Sequence, residues 1–339
     1  MHLNKRTQDN HTTQMEIVIN TYGTSVNRDN EGFIISTPDG RRRVPVEGVT
    51  SIRVSNGAQL TSDAIMLAIE KEIEIVFMTR HGDTLGRVWS PKYGSISTIR
   101  KGQLAFTYSI DALKWIKQVL VNKIDNQEAL LLMMDKSTVQ EERHAESVMR
   151  KLDKCKQRVE DVEAETLKDA APTLRGIEGI ASRIYFSALN EFIPEKYRFE
   201  ERSQHPARDV ANALLNYGYG ILYSKVESSL IRAGIDPSVG VLHRDNYNRP
   251  VLVYDVIELF RVWVDYVVYS LLAQDVVNED YYSTRSDGSC WLEGLGRRVV
   301  IQSLNDYMDA TDMSGIKARS RTTQIFLYAQ NLAQQFKNY

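Results

Sequence analysis

Tyr254-Asp255-Val256-Ile257-Glu258-Leu259-Phe260-Arg261-Val262-Trp263 is the stretch that decides how the larger part of this chain folds. Its apolar residues recur on nearly every side, which suits a helix packed inside a domain better than one lying on a surface. The pattern predicts a helix that begins after Pro250, with Asp255 and Glu258 close to its start. Three-residue spacing puts both carboxylates on one helical face, so the acids sit at the edge of a core. Two readings of the pair stand side by side. They are first-turn acids that compensate the helix dipole, or hard oxygen donors suited to magnesium or manganese. Glu178, within Gly176-Ile177-Glu178-Gly179, and His243 add a third carboxylate and an imidazole with no cysteine nearby. Such a donor set favours a hard divalent ion, a common tool of phosphodiester chemistry. Spacing alone does not bring three separated segments together, and a single histidine is equally read as structural.

Outward from that stretch, helical periodicity fills the chain after about residue 98. Patterns run over about 104–135 and 138–169, the second highly charged with Met149, Leu152, Cys155, Val159 and Val162 on one stripe. It reads as a solvated helix lying on the domain. Pro172 suits the first turn of the helix that carries Glu178. Further patterns cover about 207–232, 290–309 and 320–336, and Asn278 to Ser289 reads as a mobile polar loop. Before residue 98 the period is two. Glu16 to Asn20, Gly32 to Thr37, Arg43 to Val46, Ser51 to Val54, Ile73 to Met78 and Leu85 to Ser90 read as strands. Turns are predicted at Pro38-Asp39-Gly40 and His81-Gly82-Asp83, and one helix over Ser62 to Glu70. The predicted class is α+β: a polar extension (1–14), a small β-rich domain (15–97), then a larger all-α domain (98–339).

The 339 residues are enough for two domains with their own cores. Lysine and arginine number 42 against 44 acids, a net charge of -2. A nucleic-acid surface would therefore have to be local. The two cysteines, Cys155 and Cys290, form no CxxC pair, which argues against a zinc module or a disulfide framework. No apolar run reaches transmembrane length and the first fourteen residues are polar, so the sequence predicts a cytoplasmic protein with no membrane partner.

The helical half also carries four ordered motifs. Gly176 to Phe186, His205 to Gly220, Gly234 to His243 and Tyr254 to Arg261 closely resemble the signatures of the CRISPR-associated endonuclease and integrase of the Cas-one family. Tyr22-Gly23-Thr24 and the strand-helix-strand pattern from Val49 to Met78 also fit, so the resemblance covers about residues 15–310. It implies an enzyme of CRISPR adaptation and antiviral defence. Such an enzyme is a divalent-metal-dependent endonuclease and integrase that inserts new spacers into an array by attack of a DNA 3′ hydroxyl on a backbone phosphate. It further implies a catalytic helical domain, a homodimer built by the β domain, double-stranded DNA as substrate, and a small Cas-two partner subunit. Position by position, Glu178, His243 and Glu258 match the family's metal ligands, for Mg2+ or Mn2+, and Asp255 matches a nearby catalytic acid. Many members carry aspartate where Glu258 stands. Two other functions compete: a nuclease of branched DNA that does not integrate, and a catalytically silent DNA-binding scaffold.

Cations that could hold DNA phosphates are scattered. Arg41, Arg42 and Arg43 lie in a predicted hairpin; Lys196, Arg198 and Arg202 follow the Glu178 helix; Arg183, Arg244 and Arg249 lie nearer the motifs. Arg183 reads equally as half of an internal salt bridge. Tyr197 and Phe199, interleaved with the cations around them, suit unpaired ends, and Tyr223 is the tyrosine expected to approach DNA. Asp209 and Asn212 are read as buried hydrogen-bonding residues that position the Glu178 helix. Gly240 suggests a close backbone approach beside His243, although a simple turn would also account for it.

Overall fold

The computed structural model describes residues 15–79, 84–88, 96–134, 142–204, 206–243, 249–312 and 319–339. It divides into two compact units, residues 1–92 and 93–339. The expected extension (1–14) and the His81-Gly82-Asp83 turn lie outside the described residues.

In the first unit, strands β1 (Met15–Ile19), β2 (Ser25–Asp29), β3 (Gly32–Thr37), β4 (Gly40–Pro45), β5 (Val49–Ser55) and β6 (Gln59–Leu60) precede helix α1 (Ser62–Glu70); β7 (Glu74–Met78) and β8 (Thr84–Val88) follow it. They form two four-stranded sheets, ordered β1-β5-β7-β8 and β4-β3-β2-β6. β1, β5 and β7 run parallel, with α1 as the crossover between β5 and β7. Thr61 caps α1, its hydroxyl accepting from the Ala64 amide at 3.3 Å. Ile17, Val26, Phe33, Ile52, Ala68 and Ile75 join both sheets and α1 in one core. The sequence reading missed β2 and β6. β2 is Ser-Val-Asn-Arg-Asp, with Val26 its sole apolar residue, and backbone pairing to β3 fixes it.

The second unit is built from α2 (Ile96–Thr107), α3 (Ile110–Met134), α4 (Glu142–Glu160), α5 (Leu167–Leu189), α6 (Val210–Arg232), α7 (Val251–Ile257), α8 (Arg261–Ala273), α9 (Gly294–Asp309) and α10 (Arg321–Lys337). α3, α4 and α5 pack as one trio, and α6 packs against α7, α8, α9 and α10. A single apolar core threads these helices. The chain is α+β, a β-rich N-terminal part followed by a larger helical part. As its stripe predicts, α4 buries Leu152, Cys155 and Val159 while its polar side stays wet.

Several boundaries differ from the periodicity. The 104–135 pattern is two helices, broken at Tyr108 and Ser109, where the Ser109 amide and hydroxyl both donate to the Phe106 carbonyl. α4 stops at Glu160 and α5 starts at Leu167, capped by Thr166, which puts Pro172 in the second turn and not the first. The expected loop from Asn278 to Ser289 contains a 3-10 turn and half of a ribbon, Tyr282–Thr284 paired with Cys290–Leu292. The helix predicted after Pro250 is interrupted: α7 ends at Ile257, and Glu258, Leu259 and Phe260 form a tight turn before α8. Asn126 of α3 holds this break, its side-chain amide donating to the Leu259 carbonyl at 3.0 Å.

Candidate active site

The break between α7 and α8 bears on the first of the two readings of the acidic pair. Asp255 is the fifth residue of α7 and Glu258 follows its last residue. Neither lies in a helical first turn, and an acid at a helix C-terminus faces the unfavourable end of the dipole. Dipole compensation therefore does not explain them.

Asp255 is fully buried and organises the segment ahead of α7. One carboxylate oxygen accepts the amides of Val241 at 2.7 Å and Leu242 at 3.1 Å. The other takes the His243 amide at 3.1 Å and lies 2.7 Å from His243 Nδ1. Gly240 lets the segment close this tightly, since a Cβ there would lie 2.4 Å from the His243 carbonyl oxygen. The close approach is real. Buried Gln103 of α2 fixes the start of the same segment, donating to the Asp236 carbonyl at 2.7 Å and accepting the Asp236 amide at 3.0 Å. With Nδ1 committed to Asp255, Nε2 is the imidazole nitrogen left to the cleft. Burial lowers the His243 pKa, but the Asp255 hydrogen bond and charge, helped by Glu258 and Glu178, outweigh it and raise the value overall.

Glu178 stands midway along α5, next to the buried face made by Leu174, Ile177 and Ala181. Its Oε1 accepts from the Ser182 hydroxyl at 2.9 Å and from the ammonium of Lys123 on α3. The same ammonium lies 2.6 Å from Glu258 Oε2, and Arg261 Nε donates to Glu258 Oε1 at 2.9 Å. Burial pushes the Glu258 pKa up, but Arg261 and Lys123 together hold it down to about 2. Burial likewise acts to deprotonate Lys123, and the two glutamates more than reverse it, so the amine keeps its charge. Glu178, His243, Asp255 and Glu258, the four expected site residues, thus line one cleft together with Leu242, Ile116, Leu120 and Arg175. Among the described residues, however, no three of His, Cys, Asp and Glu stand in a ready metal-holding cluster. The Lys123 ammonium lies between the two carboxylates.

Sequence reasoning missed Lys123, Arg175 and Ser182. Ser182 could have been found from its one-turn spacing to Glu178; Lys123 lies 55 residues from Glu178 and carries no local signal.

The expected DNA-contacting residues fall into different situations. Arg183 and Arg249 are exposed and make no ion pair among the described residues, where the internal salt bridge considered for Arg183 is not seen. Arg244 lies outside the described residues. Arg198 is exposed, but its guanidinium donates to the Ile193 and Glu191 carbonyls. Arg202 is committed inside the protein, bonding Asn212 and, at 2.9 Å, Asn216, with its guanidinium over the rings of Phe186 and Tyr219. Lys196 pairs with Asp275 at 2.7 Å. Tyr197 and Phe199 are buried rather than offered to unpaired bases. Arg43 pairs with Asp29 and Glu31, while Arg41 and Arg42 are exposed. Tyr223 is half-buried, its hydroxyl 3.2 Å from the Pro250 carbonyl and its ring 5.3 Å from that of Tyr254, which neighbours His243. Asp209 caps α6 through the Asn212 amide, and Asn212 donates to the Glu201 carbonyl. These two residues tie the segment ahead of α6 in place.

The profile of the family described as CRISPR associated protein Cas1 matches residues 17–306. Among curated relatives, a CRISPR-associated endonuclease Cas1 of Archaeoglobus fulgidus is 31% identical over 331 residues, covering 94% of this chain and 95% of its own. Among solved structures, a CAS1 protein from Thermotoga maritima superposes with a TM-score of 0.78 at 23% identity, covering 95% of this chain and 97% of that one. A casposase bound to its integration product gives 0.76 at 19% identity, covering 95% and 90%. At these identities the structural likeness is one of fold.

Proposed function

The chain belongs to the Cas1 family of CRISPR-associated proteins, and from that premise we propose that it is a divalent-metal-dependent DNA endonuclease and integrase of CRISPR adaptation. The reaction is attack of a DNA 3′ hydroxyl on a backbone phosphate, which inserts a new spacer into an array. The observation that carries this reading is the meeting of Glu178 and Glu258 on one buried cation, Lys123, with His243 lining the same cleft. A pocket whose two carboxylates already share a positive charge, beside an imidazole nitrogen with no hydrogen bond among the described residues, fits a hard divalent ion.

Glu178, Glu258 and Nε2 of His243 would hold that ion, which when bound supplies positive charge to the phosphate under attack. Asp255 holds His243 in one orientation through Nδ1 and keeps Nε2 turned to the cleft. Arg261 keeps Glu258 ionised. Arg175, half-buried in the cleft wall and without an ion pair among the described residues, holds a non-bridging phosphate oxygen. Arg183 and Arg249 contact the DNA backbone further out and contribute affinity without sequence information. With a net charge of -2 the whole molecule is not a polycation, so productive binding uses a homodimer or a small Cas-two-type partner to assemble a continuous basic surface.

Full-length protein with manganese should join a 3′-hydroxyl DNA end into supercoiled plasmid, and Glu178→Ala should abolish joined product. Joining that persists in both Glu178→Ala and His243→Ala would overturn the residue assignment. Cleavage of branched DNA with no joined product would replace the integrase by a general nuclease.

A further inference from the structure

Lys123 is a lysine with a side-chain exposure of 6%, placed with its ammonium against Glu178 and, at 2.6 Å, Glu258. Lysines rarely lie so deep unless paired, and this one reaches its partners from a different helix than either acid. Around it, two carboxylates, Glu178 and Glu258, meet two cations, Lys123 and Arg261, while Asp255 is bonded to His243. Arg261 donates to Glu258 and is further held by its stack on the Tyr219 ring, 4.8 Å away. Among the described residues, Lys123 alone bridges both glutamates. Two like charges a few ångströms apart in a poorly solvated pocket repel strongly. A divalent ion therefore cannot take both carboxylates while the ammonium remains between them.

We infer that Lys123 is a built-in counter-cation that holds the Glu178–Glu258 pair together without metal and must swing out of it when a divalent ion binds. The inference rests on the metal reading above and goes beyond it, because it makes metal binding a competition against the protein's own side chain. Two consequences separate this role from plain support of the fold. Removing the ammonium destabilises the metal-free protein, since two neighbouring carboxylates lose their shared cation. The same change tightens metal binding, whereas a purely structural residue would weaken it or leave it unaltered.

The test uses the full chain and manganese chloride alone. Manganese affinity is measured by titration calorimetry for wild type, Lys123→Met, Lys123→Gln and Glu178→Gln, beside melting temperatures in chelator and in manganese. Lys123→Met or Lys123→Gln should bind manganese about tenfold or more tighter than wild type, and melt lower in chelator with much of the loss restored by manganese. Should both variants fail to fold, amine acylation of wild type, read peptide by peptide, decides: Lys123 is protected in chelator and becomes reactive in manganese. Unchanged or weaker manganese binding in the folded variants, or unchanged protection of Lys123 while wild type binds manganese, overturns the inference and leaves the metal reading standing. If wild type and both variants bind no manganese, the metal reading falls and takes this inference with it.

Discussion

Two buried acidic clusters lie within the helical unit, and they treat charge in opposite ways. At the cleft, Glu258 is held ionised by Lys123 and Arg261, its pKa down to about 2 despite burial. Deeper in, Asp265 of α8 is bonded by two phenols, Tyr185 at 2.8 Å and Tyr219. There burial raises the pKa to about 6, against the lowering pull of the Tyr219 and Tyr185 hydrogen bonds and of Arg202 and Arg261. Phenols can serve a carboxyl in either protonation state, but they do not replace a counter-ion. The first cluster keeps its negative charge in readiness; the second merely tolerates it. Buried acids alone are thus a poor guide to a functional site, and the identity of their partners is a better one. Arg261 touches both clusters, bonding Glu258 and lying over the Tyr219 ring.

The largest expected effect tests the cleft side. Asp255→Ala would strand three amides and the His243 imidazole without their acceptor, a loss of about 3 to 5 kcal/mol by urea denaturation together with loss of strand transfer. A loss below 1 kcal/mol would mean that the 241–243 segment is held by something else. Next in size, Asp265→Asn tests the other side. The folded pKa of about 6 lies above the ordinary 3.8, so the folded state takes up the proton first. Stability therefore falls as pH rises from about 4 to about 6 and stays reduced above that. The asparagine variant should lack this slope, and relative to wild type should gain about 3 kcal/mol between pH 4 and pH 7. Parallel pH profiles for variant and wild type would show that Asp265 is not raised. The smallest effect is Tyr219→Phe, about 1 kcal/mol from one lost hydroxyl donor. If strand transfer falls with it, the clusters are coupled through Arg261; if it is unchanged, they are independent.

Much of the architecture could be read from the chain because its signals are local. Period-two runs mark the β-rich part, and the four ordered motifs carry Glu178, His243, Asp255 and Glu258. What could not be read depends on tertiary contacts. No proline or glycine announces the break after Ile257; it is held by Asn126, more than a hundred residues away. Tyr197 and Phe199 look like stacking residues beside their cations, yet they are consumed by the core, Tyr197 bonding the Val277 carbonyl at 2.6 Å. Arg202, the same residue type as exposed Arg183, is spent on two asparagine side chains. Sequence shows which residues are charged, and packing decides which of those charges are free.

The two glutamates beside Lys123 differ in depth, with side-chain exposures of 31% at Glu178 and 9% at Glu258. The cluster therefore has a front and a back, and whatever diffuses in from water meets Glu178 first. A hydrated ion can rest on that outer oxygen with most of its water shell intact, whereas reaching the inner oxygen requires shedding water, which magnesium does reluctantly. Under the proposed metal reading, loading is a sequence of two events with its own kinetics, set by how deep each carboxylate sits.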